Sequence, residues 1–377
     1  MATATIPAGS PLERKKWGDK AYAAMTSQNP FFNIMSSGMP GSKLSGAFLR
    51  YNLTAGEGTS VEIPFRALLA SAPVLGENRV QGTGRQLSYS RDIVSLGKIR
   101  EALTEYDVTM SEQRTAVDVE NDTSEELGRL AAMGTTIAIM TALLDTTTGR
   151  TANRYQYGAL AANYNASHTT AMANVDSTDD KLTLTLIRKT MTKIKSKSSG
   201  VGFMRPADVI TNGEKVKQKF IGLFHPNAIL DLKADAGFQA NVNYKDSPDF
   251  DVISGSNFVG EYEGLWIYEF LPLDGLNDML IVAGAGTAGA TIAHNLILGA
   301  NAVAIAEGQV KKPKGNTKFN ISQNGHLMVT TVDDDHGADA EWAYTKVEGY
   351  KKLVDNTISG GEDFGVFHLF TDASAGF

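Results

Sequence analysis

Apolar and polar residues alternate from Thr59 to Arg66, and this period of two residues predicts a half-buried β-strand. The apolar face of the strand consists of Val61, Ile63 and Phe65. Pro64 cannot donate a backbone hydrogen bond, so we expect the strand to lie at the edge of its sheet.

A second strand is predicted from Gln86 to Ile99, where it would return beside the first to form a hairpin. The 19 residues from Ala67 to Arg85 that connect the two strands far exceed the ~2–5 residues of an ordinary hairpin turn. An isolated hairpin that reaches away from a core is unstable in water. The apolar residues of this connection are therefore predicted to be buried against a neighbouring surface.

An apolar helix is predicted from Asn121 to Asp145. Thr123 and Glu126 have the spacing of a capping box, which indicates the start of the helix. Apolar or small residues follow at helical spacing, namely Leu127, Leu130, Ala131, Gly134, Ile137, Ala138, Thr141 and Leu144. The opposite face is also apolar beyond Arg129, which predicts a helix buried on all sides. We expect Gly134 to let another backbone approach closely.

The rest of the chain predicts a mixture of helices and strands. Residues 1–55 show no sustained period and are predicted to form an extended arm anchored by aromatic side chains. Helices are predicted within residues 180–197 and from Pro226 to Lys233. The further predicted strands are Phe220 to Phe224, Leu265 to Phe270, Met279 to Ala283, Leu327 to Val332, Trp342 to Val347 and Phe364 to Phe370. Without repeats or regular βαβ alternation, the fold class is α+β.

Composition favours a folded protein and excludes several functional classes. Of the 377 residues, 42% are hydrophobic and 20% are charged, as in ordinary globular proteins. The formal net charge of −7 disfavours sequence-specific binding to nucleic acid, whose phosphates are also negative. The absence of cysteine excludes disulfides, thiolate metal sites and cysteine nucleophiles. Neither a secretion signal nor a membrane span is predicted, so we expect the protein to stay inside the producing cell.

The strongest enzymatic motif is Gly284, Gly286 and Gly289, which have the G-x-G-x-x-G spacing of a dinucleotide-binding loop after an apolar segment. Glu307 follows 18 residues later, near the distance expected for a ribose-binding carboxylate. However, only about ten residues could form a helix before Gly299, and no βα units follow. A Gly/Ala-rich turn is the favoured interpretation.

Other candidate chemistry is weak. The six histidines show no helical metal-binding spacing, and no triad or nucleophile elbow is indicated. The acidic segment from Asp333 to His336 lacks the spaced ligands of a calcium loop, which favours a solvated turn. Two basic groups could touch DNA non-specifically, and they are Lys189, Lys193, Lys195 and Lys197, and Lys311, Lys312, Lys314 and Lys318. We predict neither catalytic, cofactor-binding nor metal-binding residues, and hence no enzyme.

Five segments resemble one large family of phage coat proteins. They are PLERKKWGDKAYAAM, GEGTSVEIPFR with its sequel YDVTMSEQRTAVD, FHPNAILDLK, FVGEYEGLWIYE and NLILGANAVAIAEG. The order of elements is similar to that of major capsid proteins of tailed bacteriophages, which have the Hong Kong 97 type capsid fold. The resemblance covers most of the chain.

The resemblance implies both an architecture and partners. It implies an N-terminal arm (1–56), an extended loop (57–100), a peripheral domain with a spine helix (101–175), an axial domain (176–310) and a return to the peripheral domain (311–377). The subunits would form pentamers and hexamers of an icosahedral shell around double-stranded DNA, within the virion. Assembly in the host cytoplasm, a separate scaffolding protein, a portal and decoration proteins are also expected.

The extended loop is predicted to contact a neighbouring subunit. Its candidate contact residues are Leu68, Leu69, Val74, Leu75, Glu77, Arg79, Arg85 and Arg91. The apolar members would gain roughly 1.5–3 kcal/mol each on full burial, and the charged members would fix the register between subunits. Two alternatives stay open from sequence, namely an encapsulin-type compartment of the same fold and a nicotinamide-dependent enzyme that uses the glycine motif.

Overall fold

The computed structural model describes most of the chain, with gaps. The described residues are 11–37, 46–54, 57–66, 89–105, 119–196, 204–211, 215–241, 252–253, 255–271, 276–311, 318–322, 324–334, 339–357 and 360–373.

Six α-helices occur among the described residues. They are α1 (Pro11–Gln28), α2 (Val119–Leu143), α3 (His168–Ala173), α4 (Leu184–Lys195), α5 (Pro226–Ala234) and α6 (Ala236–Asn241). The prediction of an extended arm is wrong for residues 11–28, because this segment is helical. This helix has no regular apolar stripe. It packs on α2 through small residues such as Ala21, which is fully buried.

Nineteen strands are described. They are β1 (Met35–Ser37), β2 (Phe48–Leu53), β3 (Ser60–Arg66), β4 (Tyr89–Ser95), β5 (Gly97–Glu105), β6 (Tyr155–Tyr157), β7 (Ala207–Thr211), β8 (Lys215–Phe224), β9 (Asn257–Tyr262), β10 (Leu265–Glu269), β11 (Ile281–Val282), β12 (Ile292–Leu298), β13 (Val303–Gly308), β14 (Lys318–Ile321), β15 (Leu327–Asp334), β16 (Asp339–Lys352), β17 (Val354–Asp355), β18 (Glu362–Asp363) and β19 (Val366–Asp372).

Two sheets carry most of these strands. In the first sheet the order is β1-β2-β13-β16-β15-β14, and β5 pairs with β16. In the second sheet the order is β6-β19-β12-β8-β10-β9, with β7 on β8 and β11 on β12. The hairpin of β3 and β4 forms a separate two-stranded sheet, as does the pair of β17 and β18.

The cores lie on the faces of these sheets. Helix α4 buries Leu184, Ile187, Met191 and Ile194, which confirms the predicted apolar stripe. Its N-cap is Thr183, whose hydroxyl accepts from the backbone N–H of Leu186. Strand β12 is buried at all seven positions and β13 at all six, because neighbouring strands and side chains cover them on every side.

The predicted return strand from Gln86 to Ile99 is two strands. The N–H of Leu96 donates to the carbonyl of Thr59 at 2.8 Å and closes the hairpin. The chain then leaves the hairpin, and β5 joins the first sheet by pairing with β16. A single apolar alternation cannot reveal this change of partner, since both strands show the same period.

Helix α2 departs from its prediction at its start and on its outer face. It begins at Val119, so Thr123 lies inside the helix and the capping-box prediction is wrong. Glu126 instead accepts hydrogen bonds from Arg129 one turn away. The helix is not buried on all sides, because Ile137 is 37% exposed.

The close helix contact lies at Gly128 and not at Gly134. A Cβ atom on Gly128 would lie 2.5 Å from the Ala21 carbonyl oxygen and 2.7 Å from Ala24 Cβ, both in α1. A Cβ on Gly134 would meet the Tyr344 hydroxyl at 3.3 Å. Within the chain, the neighbour of Gly134 is therefore a side chain, and the expected backbone approach occurs six residues earlier in the helix.

Candidate functional site

Most of the predicted contact residues of the long connection lie outside the described residues. They are Leu68, Leu69, Val74, Leu75, Glu77, Arg79 and Arg85. Arg91 is described, and it lies on the exposed face of the hairpin, where its guanidinium binds both carboxylate oxygens of Glu62 at 2.9 and 3.0 Å. This ion pair links β3 and β4 at the base of the connection.

One face of the hairpin packs on the body of the subunit. Ile63, Phe65 and Val94 are buried in a cluster with Ala304 and Ala306 of β13. The Phe65 ring also lies 5.2 Å from the Phe364 ring, centroid to centroid. The small alanine side chains leave room for the large side chains of the hairpin. The predicted alternation in β3 is confirmed, and its inner residues anchor the hairpin.

The hairpin also has a polar anchor at its inner face. Asp92 is only 4% exposed and pairs across the hairpin with Ile63. Its carboxylate accepts from the Lys351 ammonium and, at 3.1 Å, from the Val354 N–H. The Lys351 ammonium also donates to the Ile93 carbonyl at 3.2 Å. This arrangement ties β4 to the end of β16 and the start of β17.

The outer face of the hairpin is open. Tyr89 is 64% exposed and Ile93 is 37% exposed, beside the exposed pair of Glu62 and Arg91. An exposed ion pair contributes only about 0–1 kcal/mol to folding. These side chains are thus available to a second molecule at little cost to the subunit.

A buried ionisable cluster joins the two sheets. Lys352, at the end of β16, forms an ion pair with Asp363 at 2.9 Å. Asp363 Oδ2 accepts a hydrogen bond from the Lys352 ammonium at 2.9 Å and another from the Tyr155 hydroxyl at 3.0 Å, and it contacts His368 Nε2 at 3.0 Å. His368 Nδ1 lies 2.7 Å from His294 Nε2. Strands of both sheets therefore meet at a chain of polar side chains.

Burial sets the protonation of this cluster. It raises the pKa of Asp363 to about 7, although the Lys352 ammonium acts in the opposite direction. Burial also lowers the pKa of His294 and of His368 well below the ordinary value, so both rings are neutral at neutral pH. His368 is fully buried and His294 is only 5% exposed, so the rings offer little surface to a substrate and the arrangement serves to hold strands together.

Sequence reasoning missed this cluster because its members are distant along the chain. His294 pairs with Phe370 across β12 and β19, which places it diagonally next to His368. Only the strand register brings the two rings together, and no local motif encodes it.

The glycine motif forms a turn, as the favoured interpretation predicted. Gly284 and Gly289 have positive φ angles of 66° and 81°, and the following segment Ile292–Leu298 is β12. A dinucleotide site requires a helix at this point, with its N-terminus facing the phosphates. Glu307 is buried in β13 and pairs with Arg50 at 2.5 Å, so it already has a partner within the subunit.

The basic groups are only partly available. The Lys193 ammonium donates to the Tyr155 carbonyl and to Gln156 Oε1, both at 3.2 Å, and burial lowers its pKa to about 8. The Lys195 ammonium donates to the Glu263 carbonyl at 2.5 Å, whereas Lys189 and Lys311 are exposed. Lys197, Lys312 and Lys314 lie outside the described residues, and nothing is described of the Lys318 side chain.

The predicted acidic turn from Asp333 to His336 lies largely outside the described residues. Asp335 and His336 lie outside the described residues, as do the side chains of Asp333 and Asp334. In the part of the chain that the structure describes, no group of three or more His, Asp or Glu side chains could hold a metal ion. None of the described helices is both long and apolar enough to cross a membrane.

Solved structures with similar folds are capsid proteins of phages. The chain is similar to the capsid protein of Ralstonia phage GP4, with a TM-score of 0.69, 17% identity and complete coverage of both chains. It is also similar to that of cyanophage Pam1, with a TM-score of 0.68, 19% identity and complete coverage of both chains. For Helicobacter pylori bacteriophage KHP30 the TM-score is 0.61 at 15% identity, covering 92% of this chain and 91% of the other.

These likenesses show an α+β phage capsid fold, in agreement with the Hong Kong 97 type expected from the sequence. Comparison with curated proteins finds no significant match. The family and structure matches favour a phage capsid protein over an encapsulin or a nicotinamide-dependent enzyme. The family model for phage capsid proteins matches residues 5–375, and the chain therefore belongs to the phage capsid protein family and is a structural shell protein.

Proposed function

We propose that copies of this chain assemble into pentamers and hexamers of an icosahedral shell that encloses the phage genome. The observation that carries this proposal is the hairpin of β3 and β4, whose inner face is anchored on the subunit while its outer face stays exposed. Membership of the phage capsid family supports the same role.

The physical basis is the burial of apolar surface between subunits. The connection from Ala67 to Arg85 contains Leu68, Leu69, Val74 and Leu75. If a neighbouring copy covers these side chains, each contributes roughly 1.5–3 kcal/mol to association. The charged residues Glu77, Arg79, Arg85 and Arg91 then select the register in which the two copies meet.

The proposed roles of the chain segments follow the domain boundaries expected from the family resemblance. Residues 57–100 serve as the extended loop, and α2 serves as the spine of the peripheral domain within 101–175. Residues 176–310 form the axial domain near the centre of each pentamer or hexamer, and 311–377 return to the peripheral domain. The arm consists of residues 1–56, which include helix α1.

Partners and location follow from this role. The subunits assemble in the host cytoplasm on a separate scaffolding protein, with a portal and decoration proteins completing the virion. Contact with the packaged DNA is non-specific, because the chain carries a net charge of −7. The subunit acts without catalysis, cofactor or metal.

A deletion tests the proposal directly. The full chain and a variant lacking Leu68 to Arg85, with a short glycine-serine link, are expressed and examined by negative-stain microscopy. We expect closed shells from the full chain and only folded, soluble subunits from the deletion, as judged by circular dichroism and gel filtration. Wild-type-like particles formed by the deletion variant would refute the role assigned to the loop.

A further inference from the structure

Asp92 is an unusual residue for its position. The inward positions of the hairpin pair Val61 with Val94, whereas Ile63 pairs with Asp92. A carboxylate at such a place loses its hydration, and this cost is offset only by well-placed donors. An apolar residue would pack there without that cost. The carboxylate therefore calls for an explanation beyond simple packing.

Apart from the Ile93 N–H of the hairpin, at 2.9 Å, the donors around Asp92 come from one short segment of the body. The Val354 N–H binds one carboxylate oxygen at 3.1 Å, and the Lys351 ammonium binds the other. Further along β4, the Asn356 amide donates to the Arg91 carbonyl at 3.4 Å. Backbone donors and carbonyls have fixed positions, so these bonds can form in only one placement of β4.

A glycine brings the hairpin base close to the same strand. Gly349 of β16 faces the Ser95 carbonyl, and a Cβ atom there would lie 2.1 Å from that oxygen. Any side chain at residue 349 would push the end of β4 away from β16. The polar bonds at Asp92 and the contact at Gly349 thus fix two points along β4, and two fixed points determine a direction.

We propose that Asp92 is a positioning residue which, through Lys351 and the Val354 N–H, sets the direction in which the hairpin leaves the subunit. This inference rests on the proposed shell function, because the direction matters only if the loop must meet a neighbouring copy. Apolar packing of Ile63, Phe65 and Val94 holds the hairpin on the body but tolerates small rotations and shifts. The carboxylate removes that freedom.

The test separates position from stability. Asp92→Asn keeps the size of the side chain and removes its charge, and Lys351→Met removes the cation from a side chain that is 43% exposed. Asp179→Asn is the matched control, since it makes the same chemical change in an exposed turn. Lys351→Arg retains the positive charge and should restore assembly.

We expect the fraction of subunits in closed shells to fall at least tenfold for Asp92→Asn and Lys351→Met. Hydrogen exchange should accelerate at residues 89–95 and stay unchanged at 292–298, because loss of these bonds loosens the hairpin and leaves the core of the second sheet intact. A role in stability alone would predict a lower melting temperature without a selective change in the hairpin. If Asp92→Asn fails to fold, the Lys351 variants decide the question.

The outcomes also distinguish this inference from the function on which it rests. Absence of shells from the unaltered chain would contradict the proposed function itself. Normal shells from Lys351→Met and Asp92→Asn, beside normal shells from the unaltered chain, would overturn the positioning role and leave the shell function intact.

Discussion

At the scale of single residues, the two glycines of α2 play different parts. A side chain at Gly128 would collide with the backbone of α1, because its Cβ would lie 2.5 Å from the Ala21 carbonyl oxygen. At Gly134 the neighbour is the Tyr344 hydroxyl, at 3.3 Å, at the tip of a buried ring that donates to Glu101 at 3.1 Å. Only the first glycine is thus required by the close packing of two helices.

We predict that Gly128→Ala destabilises the subunit by about 1–3 kcal/mol, since the collision outweighs the better helix propensity of alanine. Gly134→Ala is the control, and it should be less destabilising than Gly128→Ala, because the ~1 kcal/mol gain in helix propensity opposes a milder contact with the Tyr344 hydroxyl. Urea unfolding followed by circular dichroism measures both variants. Equal stabilities of the two variants would contradict the contact between α1 and α2.

The buried histidines make a prediction about pH. Folding depresses the pKa of His294 far below its ordinary value of 6.5, so the unfolded chain binds its proton first. The folded state therefore loses stability as pH falls below about 6.5, by about 1.4 kcal/mol per pH unit for each such histidine. Asp363 has the opposite sign, because its pKa is raised and its contribution to stability grows as pH falls through about 7.

A substitution of His294 measures the contribution of this residue to the pH dependence of stability. His294→Gln keeps Asp363 and His368 in place, so the difference between variant and wild type reports His294 alone. We expect the stability lost between pH 7.5 and pH 5 to be smaller in the variant, by about 2 kcal/mol. Thermal unfolding at a series of pH values measures this difference in stability. If stability falls equally with pH in both proteins, protonation of His294 does not reduce the free energy of unfolding.

At the scale of elements, the spacing of apolar residues predicted the helices and strands that bury one face and expose the other. Strand β3 and helix α4 each alternate between a core and solvent, and their buried positions match the expectation. Strands β12 and β13 were missed because they are covered on all sides and hence show no alternation. Helix α1 was missed because its contact with α2 relies on small residues such as Ala21 and Ala24.

The candidate site was predictable to a similar extent. The excessive length of the connection indicated the hairpin from sequence, since length is a local property, and its contact with a neighbouring subunit stays a prediction. The anchors at Asp92 and Lys351 were not predictable, because residues 259 positions apart meet only after β4 packs on β16. The same limit applies to Lys352 and His368, which lie in different sheets and both contact Asp363.

At the scale of the whole molecule, charge opposes the assembly that apolar surface favours. Every subunit carries a formal net charge of −7, so identical copies repel one another over distances comparable to the Debye length. This length is roughly 30 Å at 0.01 M salt and roughly 10 Å at 0.1 M. The proposed contacts between apolar residues of the loop and a neighbour would not be weakened by such screening.

We therefore predict that the fraction of assembled subunits rises when sodium chloride increases from 10 to 150 mM at pH 7.5. Light scattering measures the assembled fraction, and a neutral osmolyte of equal osmolality serves as the control for solvent effects. If ion pairs between copies, such as those expected of Arg79 and Arg85, supplied most of the association energy, the added salt would lower assembly. The sign of the salt dependence thus decides whether the loop residues act mainly through burial or through charge.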